Sequence, residues 1–239
     1  MSDTRPFLIV HMGRPPRNVS VRVGNQDDWF LSALRGLEHP IQVVRPFEDE
    51  PLPSPAQFRA AVITGSWSMV TDQEPWSERT AEWVADAVEQ ESPILGVCYG
   101  HQLMARALGG EVGFHPKGRE IGIKTIELLP DAVHDPLLKG LPAHFQANLS
   151  HLQAVLVPPT GAQVLARSDH DENQILRYGP KAWSVQFHPE FTPAIMAACI
   201  ESQAARYAEE GFDVRGLMAQ LGPTPQALAV LRRFAGMRV

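Results

Sequence analysis

Short apolar runs of strand length, each bounded by turn residues, recur along the first part of the chain. Near-continuous Val, Ile and Leu segments of this kind are typical of strands that a parallel sheet buries on both faces. A long helical pattern at residues 77–90 precedes the last of them. Strands that alternate with helices predict a doubly wound α/β sheet, whose reactive groups collect beyond the carboxyl ends of the strands. The predicted strands are residues 7–11, 41–44, 60–64 and 93–98.

The pattern becomes richer in β-structure after a predicted helix at residues 101–108. Turn residues punctuate this part, and Gly179-Pro180 predicts a hairpin between the last two strands. The further predicted strands are residues 121–129, 163–167, 174–178 and 182–187.

The C-terminal part is predicted to be helical from Thr192 onward. Thr192 before Pro193, and Thr224 before Pro225, each predict a helix start, because threonine caps a helix and proline suits its first position. No repeat, low-complexity segment or linker divides the sequence. We therefore expect one domain over residues 1–210, with residues 211–239 as a helical C-terminal extension of the same domain.

Cys98 lies in a glycine-flanked turn between a predicted strand and a predicted helix. This Gly-x-Cys-x-Gly turn is the cysteine counterpart of the nucleophile elbow. Glycine is needed at positions 96 and 100 because side chains there would collide with neighbouring backbone. Free N–H groups at the start of the helix stabilise a thiolate. The backbone N–H of Tyr99 would then point toward a developing oxyanion.

The two cysteines have different contexts. A cysteine after a strand is more often a small buried hydrophobe than a nucleophile, but the elbow favours the reactive interpretation for Cys98. Cys199 lies in an apolar helical run and is expected to be core, with no further role. Since the pair does not suggest a disulfide framework, we expect a reduced, cytoplasmic protein.

A histidine and a glutamate at a predicted strand end can complete a catalytic site. A nucleophilic thiolate needs a base that takes its proton and later gives one to the leaving amine. Residues two apart in extended chain face the same side, so His188 and Glu190 can turn toward one site, with Pro189 holding the extended geometry. Glu190 would orient the imidazole of His188 toward Cys98. A His–Glu pair alone is more often a surface or capping pair.

The two segments together resemble the class I glutamine amidotransferases, the family that includes the amidotransferase domain of GMP synthetase. Their sequences are LGVCYGHQ at residues 95–102 and QFHPE at residues 186–190. The resemblance covers roughly residues 7–195. It implies a flavodoxin-like, mostly parallel sheet with helices on both faces, plus a small β-hairpin region. It also implies a Cys98–His188–Glu190 triad that forms a γ-glutamyl thioester and releases glutamate and ammonia.

The resemblance implies further site residues. Gly65 and Ser66 lie where the family has its glycine-rich oxyanion turn, so the N–H of Ser66 would pair with that of Tyr99. This sequence has Ser66 where the family commonly has glycine, and the backbone there must tolerate a Cβ.

Three more residues match substrate-binding positions of the family. Gln102 resembles the glutamine that holds the substrate. Ser150 and His151 resemble the family's Ser-His-Gly segment, which contacts the amino-acid end of glutamine. Here Leu152 replaces the glycine.

Two reactions use this same acyl-transfer chemistry and differ in the leaving amine. The sequence ends at Val239 without a synthetase domain, so we expect either a separate synthetase subunit that accepts the ammonia or a stand-alone hydrolase. Residues 72–76 are similar to stand-alone family members, some of which cleave γ-glutamyl peptides. Glutamine hydrolysis is the first expectation, and γ-glutamyl peptide hydrolysis is the alternative.

Alternatives outside this chemistry are a DJ-1-like stress protein and a non-catalytic interaction module. DJ-1-like proteins also place a cysteine in an elbow, but typically carry histidine immediately after it, where this sequence has Tyr99. An interaction module would not need Cys98, His188 and Glu190 together.

Composition and spacing argue against other partners. The net charge is -6 without a basic run, so no nucleic-acid surface is expected. The longest apolar stretches fall far short of the about 20 residues that span a membrane. The histidines are not at metal-ligand spacing, and the glycines do not form a phosphate loop, so we expect neither metal nor cofactor.

Overall fold

The computed structural model describes residues 4–237 and has a nine-stranded sheet at its centre. The strand order is β2-β1-β3-β4-β11-β10-β9-β6-β7. The first five of these strands are parallel, and the remaining four continue the sheet in antiparallel fashion. β5 and β8 form a separate antiparallel pair. The strands are β1 (Phe7–Val10), β2 (Ile41–Val44), β3 (Ala60–Ile63), β4 (Ile94–Val97), β5 (Glu111–Phe114), β6 (Glu120–Leu128), β7 (His144–His151), β8 (Gln153–Val157), β9 (Gln163–Arg167), β10 (Ile175–Arg177) and β11 (Ala182–Val185).

Eight helices surround the sheet within the described residues. They are α1 (Arg17–Val23), α2 (Gln26–Ala33), α3 (Pro75–Glu89), α4 (Tyr99–Ala107), α5 (Pro193–Ser202), α6 (Ala204–Glu209), α7 (Val214–Ala219) and α8 (Pro225–Gly236). None of the helices in this part of the chain is both long and apolar enough to cross a bilayer.

The strand β1 shows why the parallel half of the sheet is buried on both faces. Phe7 and Ile9 point into a core with α2 and α8, whereas Leu8 and Val10 point into a second core with α3 and α4. Alternate residues of a strand face opposite sides, so an all-apolar strand needs cover on both. The predicted α/β architecture is confirmed, and the parallel strand order is that of flavodoxin-like folds.

Four antiparallel pairings complete the sheet, and they include the predicted hairpin. The hairpin between β10 and β11 is present, but β9, β6 and β7 extend the sheet beyond it. The strands β5, β7 and β8 were not foreseen. β7 lies at the sheet edge and carries polar residues such as Gln146 and Asn148, so its sequence lacks the apolar run of a central strand.

Helix starts follow the predicted threonine–proline pairs, with one difference. The Thr192 hydroxyl accepts the N–H of Ile195 at 3.3 Å and caps α5. Thr224 also precedes its helix, but its hydroxyl is instead 3.1 Å from Nδ2 of Asn148, which donates to it. Thr224 therefore connects α8 to strand β7 rather than capping α8.

The last helix, α8, is part of the main core. Its inward face contributes Ala227, Val230, Leu231 and Phe234 to the cluster that also holds Phe7. The division of the chain at residue 210 into a domain and an extension stays a prediction. The helix α8 packs against the sheet as part of the main core.

We expect Phe234→Ala to lower the free energy of unfolding by about 3–5 kcal/mol, the usual cost of truncating a buried phenylalanine. Phe234 is 1% exposed, and its ring contacts Phe7 and Trp183 edge-on at centroid distances of 6.2 and 6.4 Å. Urea unfolding measures the change. Val21→Ala, at a side chain that is 71% exposed, is the control and should change stability by less than about 0.5 kcal/mol. Equal stability of the two variants would show that α8 is only appended.

Candidate active site

The backbone at Cys98 turns sharply from β4 into α4. Cys98 has φ 51° and ψ -98°, a conformation that side-chain-bearing residues rarely adopt. Two bonds hold it in place: the Cys98 N–H donates to the carbonyl of Val185 at 2.9 Å, and the Gly100 N–H donates to that of Thr64 at 3.2 Å. The surrounding sheet therefore determines the geometry of the turn, as expected of strained residues at functional sites.

The glycines on either side of Cys98 have the predicted steric purpose. A Cβ at Gly96 would lie 2.5 Å from the carbonyl oxygen of Gly100. A Cβ at Gly100 would lie 2.5 Å from the carbonyl oxygen of Ile63. Both distances are far below van der Waals contact, so only glycine lets α4 begin this close to β3 and β4.

His188 and Glu190 face Cys98 as a bonded pair. The Nδ1 atom of His188 is 2.7 Å from Oε1 of Glu190, which leaves the other side of the ring for the Cys98 sulfur. Cys98 and His188 line the same cavity. The His188 N–H donates to the carbonyl of Asn148 at 2.8 Å, and the ring stacks on Phe191 at 4.0 Å. Backbone and ring contacts thus hold the imidazole in one orientation.

The charge balance of this trio favours a protonated His188. Burial of the ring by itself lowers the pKa of His188, but the charges of Glu190 and of the Cys98 sulfur outweigh it and raise the pKa to about 10. An imidazolium beside the sulfur stabilises a thiolate there. The site is therefore suited to nucleophilic attack followed by proton donation.

The predicted oxyanion residues Ser66 and Tyr99 line the same cavity as Cys98. Tyr99 is the first residue of α4, so its N–H has no acceptor within the helix. Gly65 lies close to both other residues of the site, because a Cβ there would be 3.0 Å from Cε1 of His188 and 3.7 Å from Cβ of Cys98. Ser66 lies outside the positive-φ region, so its Cβ costs no backbone strain.

A cavity of about 150 Å³ opens at Cys98 and His188. The predicted substrate-binding residues Gln102, Ser150 and His151 line it, as do Ser66 and Tyr99. The Ser150 carbonyl is 3.9 Å from the Cys98 sulfur. The Nε2 atom of Gln102 donates to the Gln153 carbonyl at 2.6 Å and to Oε1 of Gln186 at 3.0 Å, so only its oxygen is left for a ligand.

His151 forms a buried hydrogen-bonded contact with Glu120. Its Nδ1 atom is 3.0 Å from the Gln153 carbonyl and its Nε2 atom is 2.8 Å from Oε2 of Glu120. Both ring nitrogens therefore lie within hydrogen-bond distance of an oxygen atom. Burial raises the pKa of Glu120, but bonds from His151 and Ser168 outweigh this and lower it.

The carboxylate of Asp171 lies close to Glu120 and His151. One side-chain nitrogen or oxygen atom from each of Glu120, His151 and Asp171 lies within 4.8 Å of the other two. The spacing of these residues along the chain does not predict this proximity. Since Nε2 of His151 is used in the bond to Glu120, we interpret the group as a hydrogen-bonded support for the Ser150–His151 segment.

The C-terminal helices supply lining residues that sequence reasoning missed. Arg206 and Tyr207 of α6, together with Gln203, form one wall of the cavity, and Arg119 joins them. Cys199 also lines it, although burial raises the pKa of its thiol to about 12 and keeps it protonated. No sequence motif marks these residues, because helix packing alone brings them to the cavity.

Fold and site together define an α/β protein with a cysteine, histidine and glutamate at the carboxyl edge of a parallel sheet. A family model described as "Glutamine amidotransferase class-I" matches residues 27–203. The chain belongs to this family, which excludes the DJ-1-like alternative.

Curated relatives carry two kinds of name. GMP synthase (glutamine-hydrolyzing) of Aeropyrum pernix is 42% identical over 115 residues, covering 48% of this chain and 22% of the relative. One subunit of the GMP synthase of Ignicoccus hospitalis is 43% identical over 102 residues, covering 42% and 52%. Gamma-glutamyl peptidase 5 of Arabidopsis thaliana is 29% identical over 147 residues, covering 61% and 59%. The matches thus span less than two thirds of each relative.

Solved structures match the fold over nearly the whole chain. A glutamine amidotransferase from Thermotoga maritima superposes with a TM-score of 0.74 at 21% identity, covering 97% of this chain and 96% of that one. A second, from Methylobacillus flagellatus, gives 0.71 at 24% identity, covering 97% and 94%.

We expect Gly100→Ala to destabilise the protein by about 1–3 kcal/mol or more, since the added Cβ forces backbone to move. Displacement of the turn should also slow alkylation of Cys98 by iodoacetamide. Gly179→Ala is the control, because a Cβ there meets nothing within 4 Å. Urea unfolding and the alkylation rate measure both effects, and equal behaviour of the two variants would contradict the steric explanation.

Proposed function

We propose that the protein is a glutamine amidotransferase that hydrolyses the side-chain amide of glutamine to glutamate and ammonia. The observation that carries the proposal is the buried Cys98–His188–Glu190 arrangement in a chain of this family. The triad roles and the substrate-binding roles below are part of the proposal.

The first half of the reaction forms a thioester. The Cys98 thiolate attacks the amide carbon, and the carbonyl oxygen becomes an oxyanion that the N–H groups of Tyr99 and Ser66 stabilise. The C–N bond then breaks as the His188 imidazolium gives its proton to the leaving nitrogen, which departs as ammonia. The product is a γ-glutamyl thioester on Cys98 and a neutral His188.

The second half releases glutamate. Neutral His188 takes a proton from water, and the hydroxide formed attacks the thioester carbon at the same oxyanion site. Collapse of the intermediate expels the Cys98 thiolate, and His188 is again the imidazolium. Glu190 keeps its bond to Nδ1 throughout, which holds the ring aligned for both proton transfers.

We further propose that Gly65, Gln102, Ser150 and His151 bind the glutamyl part of the substrate, and that the ammonia passes to a separate synthetase subunit. Gln102, Ser150 and His151 line the cavity, which supports their role, and Gly65 lies close to His188 and Cys98. Several GMP synthase relatives are each named as one subunit of that enzyme, which supports the second point. A cytoplasmic location agrees with two buried, free cysteines.

A second candidate function is hydrolysis of γ-glutamyl peptides. The relative named Gamma-glutamyl peptidase 5 favours it. The cavity wall that contains Arg119 and Arg206 favours it independently, because its positive charge suits the additional carboxylate of a γ-glutamyl amino acid.

We expect Cys98→Ala to lower glutamine-dependent ammonia release at least about 1,000-fold, as removal of a nucleophile does. Ammonia and glutamate are measured together, with γ-glutamyl peptides as parallel substrates. Cys199→Ala is the matched cysteine control and should retain activity within about threefold, because a protonated thiol takes no part in the proposed steps. Loss of activity in Cys199→Ala but not in Cys98→Ala would refute the assignment.

We expect Glu190→Gln to move the alkaline limb of the pH profile of kcat/KM to lower pH. The charge of Glu190 helps raise the pKa of His188 to about 10, and a neutral amide removes that contribution. The proton donor is then lost at lower pH. Glu209→Gln, at an exposed position on α6, is the control. An unmoved limb in Glu190→Gln would show that another group donates the proton.

A further inference from the structure

The wall of the active-site cavity formed by Arg119, Arg206 and Tyr207 has no part in the acyl-transfer steps. Arg206 and Tyr207 come from α6, and Arg119 precedes β6. Two arginines line this cavity, whereas no aspartate or glutamate of residues 4–237 does. The cavity therefore presents positive charge to any ligand that reaches Cys98.

The two guanidinium groups share a single carboxylate. Arg119 donates from Nε and an Nη atom to Glu210 at 2.7 and 3.2 Å, and Arg206 donates from Nε to the same residue at 3.0 Å. Two positive charges against one negative charge leave a surplus of one. Each guanidinium has five N–H donors, so several remain for a ligand.

The wall is held in a fixed position relative to the nucleophile. The guanidinium of Arg119 lies over the Tyr207 ring, 5.1 Å from its centroid, and its side chain is only 10% exposed. Tyr207, Ser150 and Cys98 line the same cavity. The Ser150 carbonyl in turn lies 3.9 Å from the Cys98 sulfur. A ligand attached at Cys98 therefore comes within reach of this wall.

We propose that Arg119 and Arg206 bind a carboxylate of the substrate and so select anionic γ-glutamyl compounds. This inference rests on the proposed acyl-transfer chemistry at Cys98, and it favours the second candidate function, hydrolysis of γ-glutamyl peptides. Glutamine is neutral overall, with one carboxylate and one ammonium group. A γ-glutamyl amino acid has a second carboxylate and a net negative charge, which fits the surplus positive charge better. The carboxylate bound is that of the leaving amine, because glutamine and γ-glutamyl amino acids share the carboxylate of the glutamyl part.

The test uses Arg206→Gln and three substrates that differ in the leaving amine. These are glutamine, γ-glutamylglycine and γ-glutamyl methylamide. Arg206 has a side chain that is 54% exposed, so its replacement should leave the fold intact, which circular dichroism checks. We expect KM for γ-glutamylglycine to rise about tenfold, the effect of losing one hydrogen bond to a charged group, with kcat within about twofold.

The substrates distinguish the two carboxylates. A rise in KM for γ-glutamylglycine alone assigns the wall to the leaving amine. An equal rise for all three, which share the glutamyl carboxylate, would show that the wall does not select the leaving amine and would overturn the proposal. Unchanged KM values for all three would overturn the proposal.

Glu210→Gln provides a variant with the opposite expected effect. It frees both guanidinium groups from their shared partner, so KM for the substrate affected by Arg206→Gln should fall by about threefold, the scale of an exposed ion pair. A rise in KM in both variants would indicate a merely structural role and would count against the proposal.

Binding to the Cys98→Ala variant separates this inference from the proposed function. Calorimetric titration with γ-glutamylglycine, with and without the added Arg206→Gln change, does not require turnover. Binding that Arg206→Gln weakens, in a protein whose wild-type form hydrolyses none of the substrates, would support the wall and refute the proposed reaction. Turnover by the wild-type protein together with binding that does not depend on Arg206 would do the reverse.

Discussion

The close approach of α4 to the sheet is the constraint on which the site depends. Gly96 and Gly100 permit it, because a Cβ at either position would overlap backbone atoms. The approach places the strained Cys98 turn between Thr64 of one neighbouring strand and Val185 of another, and bonds from Cys98 and Gly100 attach it to both. The turn presents the Cys98 sulfur beyond the edge of the sheet at which β3 and β11 also end. The positions of the candidate oxyanion residues and of His188 follow from this one packing contact.

Burial makes the same few side chains electrostatically strong. His188, Glu190, Glu120 and His151 are all nearly excluded from water, and each acid lies beside a histidine. Charges in such surroundings interact far more strongly than at the surface. In the first pair the consequence is a raised pKa of His188, which suits a proton donor beside a thiolate. In the second pair the consequence is structural, because the bonded ring of His151 holds the Ser150–His151 segment against the cavity.

The C-terminal helices contribute to one wall of the cavity at Cys98, and the sequence motifs of the site do not predict this wall. α5, α6 and α7 share a core with Trp29 and Phe191, and this packing carries Arg206 and Tyr207 to the cavity. The residues of the proposed triad lie in the two sequence motifs, whereas Arg206 and Tyr207 reach the cavity through the packing of the C-terminal helices. If the wall selects a carboxylate, the choice of leaving amine is made there, at residues that take no part in bond breaking.

The sequence by itself determined the parallel strands, the elbow at Cys98 and the pairing of His188 with Glu190. These depend on local rules: apolar runs for buried strands, glycine at a crowded turn, and residues two apart on one side of extended chain. Tertiary structure alone decided the rest. The edge strand β7 is polar and lacks the apolar run of a buried strand. The helix α1 has valine at alternate positions, which is a strand pattern rather than a helix pattern. The hydrogen-bonded contact of Glu120 with His151, and the wall of Arg119, Arg206 and Tyr207, join residues far apart in the chain, and only packing sets which of them meet.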